Sequence, residues 1–279
     1  MNSLTRAILI TGCSSGIGYH CAHALRTRGW RVFASCRKQA DCDRLIAEGF
    51  DSPRIDQADA ASLETGLAQV LAATGGTLDA LFNNGAFACP GAVEDLPTDA
   101  LRETFETNFF GVHELTRRVI PVMRAQGHGR IVQNSSVLGY TPYRWRGAYG
   151  ASKFALEGLT RILHLELSDT PIKVVLIQPG PIRSAFRRNA IPHFERWINW
   201  QNSARAAQYR DVLIPHLYDD SGKKNAFELG PEAVAKVLFK ALDHPNPRAR
   251  YIVTTPAKAI AWAQRLLPER LLNAFLARQ

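Results

Sequence analysis

No apolar run in this chain approaches the ~20 residues that a bilayer-crossing helix needs, so a spanning segment is excluded from the expectations. Cysteine is sparse and one-sided. Cys13, Cys21, Cys36, Cys42 and Cys89 all lie in the N-terminal third, without a C-x-x-C pair and without histidine at ligand spacing. That argues against a metal site and against a disulfide framework, and for reduced thiols in a cytoplasmic protein. A signal peptide is also missing from the reading, since Met1 to Arg6 lead almost directly into "AILIT". Linkers and internal repeats are absent. Acidic residues are outnumbered, 25 against 34 Lys and Arg, which leaves a net charge of +9. The positive residues are spread along the chain, with a concentration from Arg183 to Arg210, and no nucleic-acid motif accompanies them. Nucleic acid is therefore not an expected partner.

What the chain does have is alternation. Short apolar runs at Ala7–Thr11, Arg31–Ser35, Ser52–Ile55, Leu78–Asn83, Arg130–Asn134, Lys173–Gln178 and Arg250–Thr254 read as strands. Amphipathic stretches at Tyr19–Arg28, Ser62–Ala73, Thr98–Gln126 and Tyr149–Asp169 lie between them. Strands alternating with helices predict right-handed βαβ units, and runs such as "KVVLIQ", apolar on both faces, predict a sheet covered on both sides. The fold class is α/β: a doubly wound parallel sheet of the Rossmann type, with residues 1–279 as one domain.

The turn after the first strand reads in two ways. Gly12-Cys13-Ser14-Ser15-Gly16 fits the G-x-S-x-G elbow of a hydrolase, with Ser14 as nucleophile. The same letters, extended to Gly18, form T-G-x-x-x-G-x-G, a turn able to hold a dinucleotide's phosphates at a helix N-terminus. An elbow needs an earlier loop for its oxyanion hole and a downstream acid and histidine. No loop precedes the first strand, and His193, His216 and His244 lack a pairing signature. The phosphate reading is therefore preferred.

Two further stretches sharpen it. An NAD-selective site places an acid about twenty residues after the glycine turn, to bond the ribose 2′-hydroxyl. Here "VFASCRK" offers Arg37 and Lys38 instead, which suits a 2′-phosphate and so NADP(H) over NAD(H). Downstream, "NSSVLGYTPYRWRGAYGASKFALEG" places Tyr149 four residues before Lys153 at the start of a helical pattern. That spacing sets the ammonium and the phenol on one face. A phenol titrates near pH ~10, and an adjacent Lys⁺ together with an oxidised, positively charged nicotinamide is expected to lower it into the range of a usable acid and base.

With those residues together, the first 185 or so residues resemble the short-chain dehydrogenase/reductase family, in particular NADP-preferring members related to 17β-hydroxysteroid and retinol dehydrogenases. The resemblance implies a catalytic tetrad of Asn108, Ser136, Tyr149 and Lys153, with Ser136 thirteen residues before Tyr149. For the cofactor it implies Gly12, Ser14, Ser15, Gly16, Ile17 and Gly18 at the turn, Arg37 and Lys38 at the 2′-phosphate, and Asp56 at the adenine. It adds Asn83 and Gly85 from "NNGA", where the family usually reads N-N-A-G, and Pro179, Gly180, Ile182 and Ser184 from "QPGPIRS". Tyr149 and Lys153 would touch the cofactor as well. The implied chemistry is hydride transfer from NADPH to an aldehyde or ketone, with Tyr149 giving the proton, Ser136 orienting the oxygen and Asn108 positioning a water. A homo-oligomer, dimer or tetramer, built on the long helical stretches follows from the same resemblance.

Residues 185–230 lose the strand–helix rhythm and read as a substrate lid. Phe194, Trp197 and Ile198 fall on one helical face, which either roofs an apolar pocket or packs on the domain. The substrate is expected to be an apolar carbonyl or alcohol. Residues 256–279 read as two amphipathic helices broken at Pro268, and docking on the domain is preferred to membrane contact. Two rivals remain: a non-catalytic dinucleotide-binding sensor or scaffold, and a peripheral membrane or nucleic-acid binder. The presence of all four tetrad residues weighs against the first.

Overall fold

A computed structural model describes residues 5–222 and 227–277. Layering begins with the period of the first strand. All four residues of β1 (Ala7–Ile10) are buried. Ile8 and Ile10 enter one core cluster, Ala7 and Leu9 the other, as side chains alternating across a sheet must. With β2 (Arg31–Ala34), β3 (Ala80–Asn83), β4 (Gly129–Asn134), β5 (Ile172–Gln178) and β6 (Arg250–Ile252) it forms one six-stranded sheet, ordered β2-β1-β3-β4-β5-β6. Every neighbouring pair is parallel, Ile8 lying between Val32 and Ala80.

The first helices in chain order are α1 (Gly16–Thr27), α2 (Gln39–Ala47), α3 (Ala60–Ala73), α4 (Thr98–Phe105), α5 (Gly111–Gln126) and α6 (Gly147–Glu166). The remainder are α7 (Phe186–Trp197), the short α8 (Ala206–Gln208) and α9 (Ile214–Leu217), then α10 (Glu232–Asp243), α11 (Thr255–Leu266) and α12 (Glu269–Leu276). Leu25 of α1 and Val234 and Leu238 of α10 cover one face of the sheet. Leu63 and Leu67 of α3 and Leu115 and Val119 of α5 cover the other. The chain is a single doubly wound domain, as the alternation predicts.

Two expected elements differ. Ser52–Ile55 is not a strand. The segment runs along the outer edge of β2 but touches it only at two isolated bridges, Phe33 to Asp51 and Cys36 to Arg54. Pro53 stands between them and has no N–H to donate, so the ladder cannot close. The long helix expected over Thr98–Gln126 is interrupted by a π turn at Glu106–Phe110, which joins α4 to α5 and carries Asn108.

A third apolar cluster caps the carboxyl ends of the strands. Phe194 and Ile198 of the α7 region, Tyr209, Leu213 and Leu217 bury themselves against Ala88, Cys89 and Tyr149. The α7 face singled out in the sequence therefore packs on the domain rather than roofing an open pocket. At the C-terminus the break at Pro268 is where expected. Leu272 and Leu276 are buried, while Trp262, Leu266, Leu271 and Phe275 stand exposed. No helix among the described residues is long and apolar enough to cross a membrane.

One buried polar node locks α5 to the sheet. The Thr116 hydroxyl donates to the Val112 carbonyl at 2.7 Å and accepts from Asn83 Nδ2 at 2.9 Å and Gln133 Nε2 at 3.1 Å. Replacing it by an isosteric apolar group strands two buried amides, each costing about 1–3 kcal/mol. Thr116→Val is expected to lower the unfolding free energy by about 2–4 kcal/mol, read from denaturant curves. A loss below about 0.5 kcal/mol would mean that the amides find other acceptors.

Candidate active site

The site is assembled where β1, β3, β4 and β5 end together, the edge at which open α/β sheets bind ligands. At the end of β1 the chain turns through Gly12 in a left-handed conformation, φ +70°. A Cβ added there would stand 2.5 Å from the Cα of Gly85, so the two backbones meet in van der Waals contact that only glycine allows. The reversed order Gly85-Ala86 is thus matched to this turn: Gly85, not Ala86, faces Gly12. Opposite them, Ser184 from the loop after β5 lies over Gly16, its Cβ 3.0 Å from where a Gly16 Cβ would be.

These residues fit the phosphates of a dinucleotide. Ser15 caps α1 in extended geometry but its side chain makes no capping hydrogen bond, and the first turn carries no acid. The N–H groups there are left to an anion. Ser14 contributes its carbonyl to Arg44 Nη2 at 2.7 Å, which brings a cation from α2 against the turn. Ile17 turns inward against the core, and Gly18 is buried. Arg37 and Lys38 follow β2 and are exposed, without a carboxylate partner among the described residues. Asp56 is half-buried and holds its own loop, its carboxylate accepting from the Ala58 N–H at 3.0 Å.

Beyond the turn lies the chemistry. Ser136 follows β4, and its hydroxyl lies near enough to the phenol of Tyr149, in the first turn of α6, to favour the phenolate. Lys153, one turn later and fully buried, sends its ammonium to the Asn134 carbonyl at 2.8 Å and stands 5.7 Å from the Tyr149 ring centre. The Phe186 ring meets Tyr149 edge-on at 5.1 Å, closing the phenol from the α7 side. Pro179 accepts from the Val137 N–H at 2.7 Å and so fixes the loop after β5 to the Ser136 segment. Gly180 packs on Thr254, and Ile182 bridges to Leu229.

Burial sets the state of three site residues, Asn83, Asn108 and Tyr149. Asn83 does not turn its side chain to the cleft; alternation commits it to Thr116 in the core. Asn84 takes the place beside the glycine turn, donating to the carbonyls of Thr11 and Gly12 at 2.9 and 3.2 Å. The Asn108 side chain is likewise not directed at the phenol. Its oxygen accepts from the Phe87 N–H at 3.0 Å, and its amide donates to the Phe87 carbonyl and to Ser152. Ser152 in turn donates to the Tyr149 carbonyl at 2.8 Å, so Asn108 holds the helix turn that carries Tyr149. Third, the phenol is not lowered by Lys153. Burial pushes Tyr149 up to about 12, against which the Ser136 hydrogen bond and the Arg146 cation act more weakly. Burial also brings Lys153 down to about 8, with Glu157 opposing.

Arg44, Gln57, Asn84, Arg146, Ser152 and Phe186 belong to the site or its support and were not legible as such. Asn84 and Ser152 lie inside "NNGA" and Y-x-x-x-K, but their contacts to Gly12 and Asn108 are distant in sequence, as is that of Arg44 to Ser14. All five cysteines are buried free thiols, and burial raises Cys21, Cys36 and Cys89 to about 12.

Known proteins resemble this chain in sequence and fold. A family profile for short chain dehydrogenases matches residues 6–193. The chain is 37% identical to the uncharacterized oxidoreductase YbbO of Escherichia coli K12 over 273 residues, covering 98% of this chain and 94% of that protein. It is 35% identical to human retinol dehydrogenase 8 over 260 residues, covering 90% and 82% respectively. A crystallised short-chain dehydrogenase from Streptomyces avermitilis superposes with a TM-score of 0.75 at 26% identity, covering 100% of this chain and 97% of the other. By fold, by site and by sequence, the chain belongs to the short-chain dehydrogenase family of oxidoreductases.

Proposed function

We propose that the protein is an NADP(H)-dependent oxidoreductase that interconverts a carbonyl and an alcohol on a lipophilic small molecule. The observation that carries this reading is the buried Tyr149 phenol near the Ser136 hydroxyl, with the buried Lys153 one helical turn away, its ammonium 5.7 Å from the ring centre. Gly12, Ser14, Ser15, Gly16, Ile17 and Gly18 would hold the pyrophosphate, Arg37 and Lys38 the 2′-phosphate with Arg44 beside them, and Asp56 the adenine. Asn83 and Gly85 would border the cleft through their backbone. Lys153 would hold the nicotinamide ribose, and Pro179, Gly180, Ile182 and Ser184 the nicotinamide. When bound, the reduced cofactor supplies a hydride.

The protein's part is positioning and proton supply. Ser136 and Tyr149 would both donate to the substrate oxygen, orienting the carbonyl. With its affinity for the proton raised by burial, Tyr149 holds that proton across the neutral range and enters as an acid, which suits reduction. Lys153 is in reach to favour the phenolate once the proton has gone. Asn108, through Ser152, fixes the turn on which the phenol stands. Phe186, set against the phenol, favours an apolar substrate, as does the likeness to a protein named for retinol. The same reading pairs two copies through α5, with the π turn before it, and α6, whose exposed Phe110, Phe154, Ile162 and Leu165 would then be covered.

Tyr149→Phe keeps the ring against Phe186 and removes the proton. Its turnover of an apolar aldehyde, followed as NADPH consumption, is expected to fall by at least ~10²-fold with NADPH affinity retained. Retained turnover would sink the assignment.

Cofactor choice is tested separately by nicotinamide fluorescence. Wild type should bind NADPH more tightly than NADH, and the double change Arg37→Ala, Lys38→Ala should erase the difference. Tighter NADH binding by wild type would overturn the selectivity while leaving the fold.

The lysine makes a prediction about stability. Its folded value of about 8 lies below its ordinary 10.5, so below about pH 8 both states carry the proton and the folded state bears the whole cost of burying it. Between these values the folded chain has already released its proton, and stability rises with pH. Lys153→Met is expected to be more stable than wild type at pH 7 by about 1–3 kcal/mol, the gap closing towards pH 10.5. Equal pH profiles for the two proteins would refute it.

A further inference from the structure

Arg146 stands three residues before Tyr149 and caps α6. Its backbone is held in place: Gly91 donates its N–H to the Trp145 carbonyl at 3.0 Å, and Gly91 and Arg146 form a parallel bridge. Trp145 itself has φ +65°, a left-handed conformation costly for a bulky residue, and keeps it while its indole packs on the Tyr209 ring at 4.8 Å. The chain thus accepts strain immediately before Arg146, and the aromatic packing sets where the following residue starts.

The guanidinium that results is half-buried, and no carboxylate among the described residues lies within ion-pair distance of it. Arg28, Arg31, Arg117, Arg118 and Arg210, by contrast, each have an acid at 3.1 Å or less. Burial acts first on Arg146 and disfavours its charge; the titratable groups around it are Tyr143, Tyr149 and Arg187 on α7. Arg187 follows Phe186, the residue that closes over Tyr149, and reaches Asp219 at 3.6 Å. His216 on α9 feels both arginines, and it is held below its ordinary range by burial, by the two arginines acting with it, and against Asp219. Among the described residues Arg146 therefore has no acid of its own, and the carboxylate that faces this end of the cleft, Asp219, is already taken by Arg187. Like charges brought together in a partly dry site await an anion.

Resting on the carbonyl–alcohol reading above, we propose that Arg146, with Arg187, binds an anionic oxyacid group on the substrate. The molecule handled at Tyr149 is then an amphiphile, with an apolar body and a carboxylate or similar head. Glycine-turn phosphates are the cofactor's anions and lie at the other end of the cleft; Arg146 serves the substrate end, beside the phenol.

Two measurements test this, one of them independent of turnover. In calorimetric titration of the purified protein, decanoate should bind at least ~10-fold more tightly than 1-decanol. Arg146→Met should remove that preference, and Arg146→Lys, which keeps a cation without the planar fork, should retain part of it. In kinetics with NADPH, 10-oxodecanoate should be preferred over its methyl ester in kcat/KM by a similar factor, mainly through KM, with the ratio collapsing towards one in Arg146→Met. Equal binding of decanoate and decanol by wild type overturns the proposal, as does an undiminished preference in Arg146→Met. If decanoate binds in an Arg146-dependent way while neither aldehyde is reduced, the anion site stands and the carbonyl-reductase reading fails.

Discussion

A single hydrogen-bonded line through three adjacent strands fixes the geometry on which everything else in this molecule depends. It starts at Thr11, whose hydroxyl accepts from the N–H groups of Asn84 and Gly85 at 3.0 and 2.9 Å. Asn84 returns its amide to the Thr11 carbonyl, and its own oxygen accepts from Asn134 Nδ2 at 2.9 Å. Asn134 closes the line by accepting, through its carbonyl, the ammonium of Lys153. The glycine turn after β1 and the lysine on α6 are thereby held to one another through β3 and β4. Buried polar lines of this kind are strong when every member is satisfied and costly when one is lost. Placing the phosphate end and the proton end of a dinucleotide site at a set separation is what this line achieves.

Around it, the protein accepts local costs that a purely stable design would avoid. A lysine is buried to its tip, a phenol is desolvated until its proton is tightly held, and a π turn interrupts an otherwise continuous helix. The π turn repays its cost in position, because it lets Asn108 reach both polar groups of Phe87 and still touch Ser152. Such a break in the regular ladder commonly marks a functional site. The strain at Trp145 and the unpaired Arg146 are of the same kind. Each lies within one helical turn of Tyr149, whereas the two faces of the sheet are packed with ordinary aliphatic residues.

Period and punctuation made the fold legible. Strands apolar on both faces, separated by amphipathic stretches, give a covered parallel sheet, and six of seven expected strands form. The exception, Ser52–Ile55, had the right residues but for Pro53, and its edge position was visible only in three dimensions. α2 went unassigned because only Cys42 and Leu45 are buried, too short a stripe to stand out. α10 is different: Val234, Leu238 and Leu242 recur at helical spacing and could have been read. The site shows the same division. Gly12, Ser136, Tyr149 and Lys153 are locally spaced and were legible. The choice between Asn83 and Asn84 turned on which face of β3 each side chain leaves from, and "NN" alone does not tell. The rise in the Tyr149 proton affinity was not legible either, since spacing reveals a neighbouring cation but not the depth of burial that outweighs it.

The sum of these effects is a site charged with protons at neutral pH. Tyr149 holds its own, Lys153 lies near its midpoint value of about 8 and still mostly holds one, and Arg146 is permanently cationic. His216, by contrast, is kept neutral by burial and by the same arginines. A cleft so arranged offers positive charge and an acid to whatever oxygen arrives, and little that can act as a base. Oxidation of an alcohol would need the phenol to give up its proton first, against the burial that retains it. The added positive charge of an oxidised nicotinamide acts in the direction that eases this loss. On the proposed reading the protein alone leans towards reduction, and the redox state of what it binds sets how far that lean is offset.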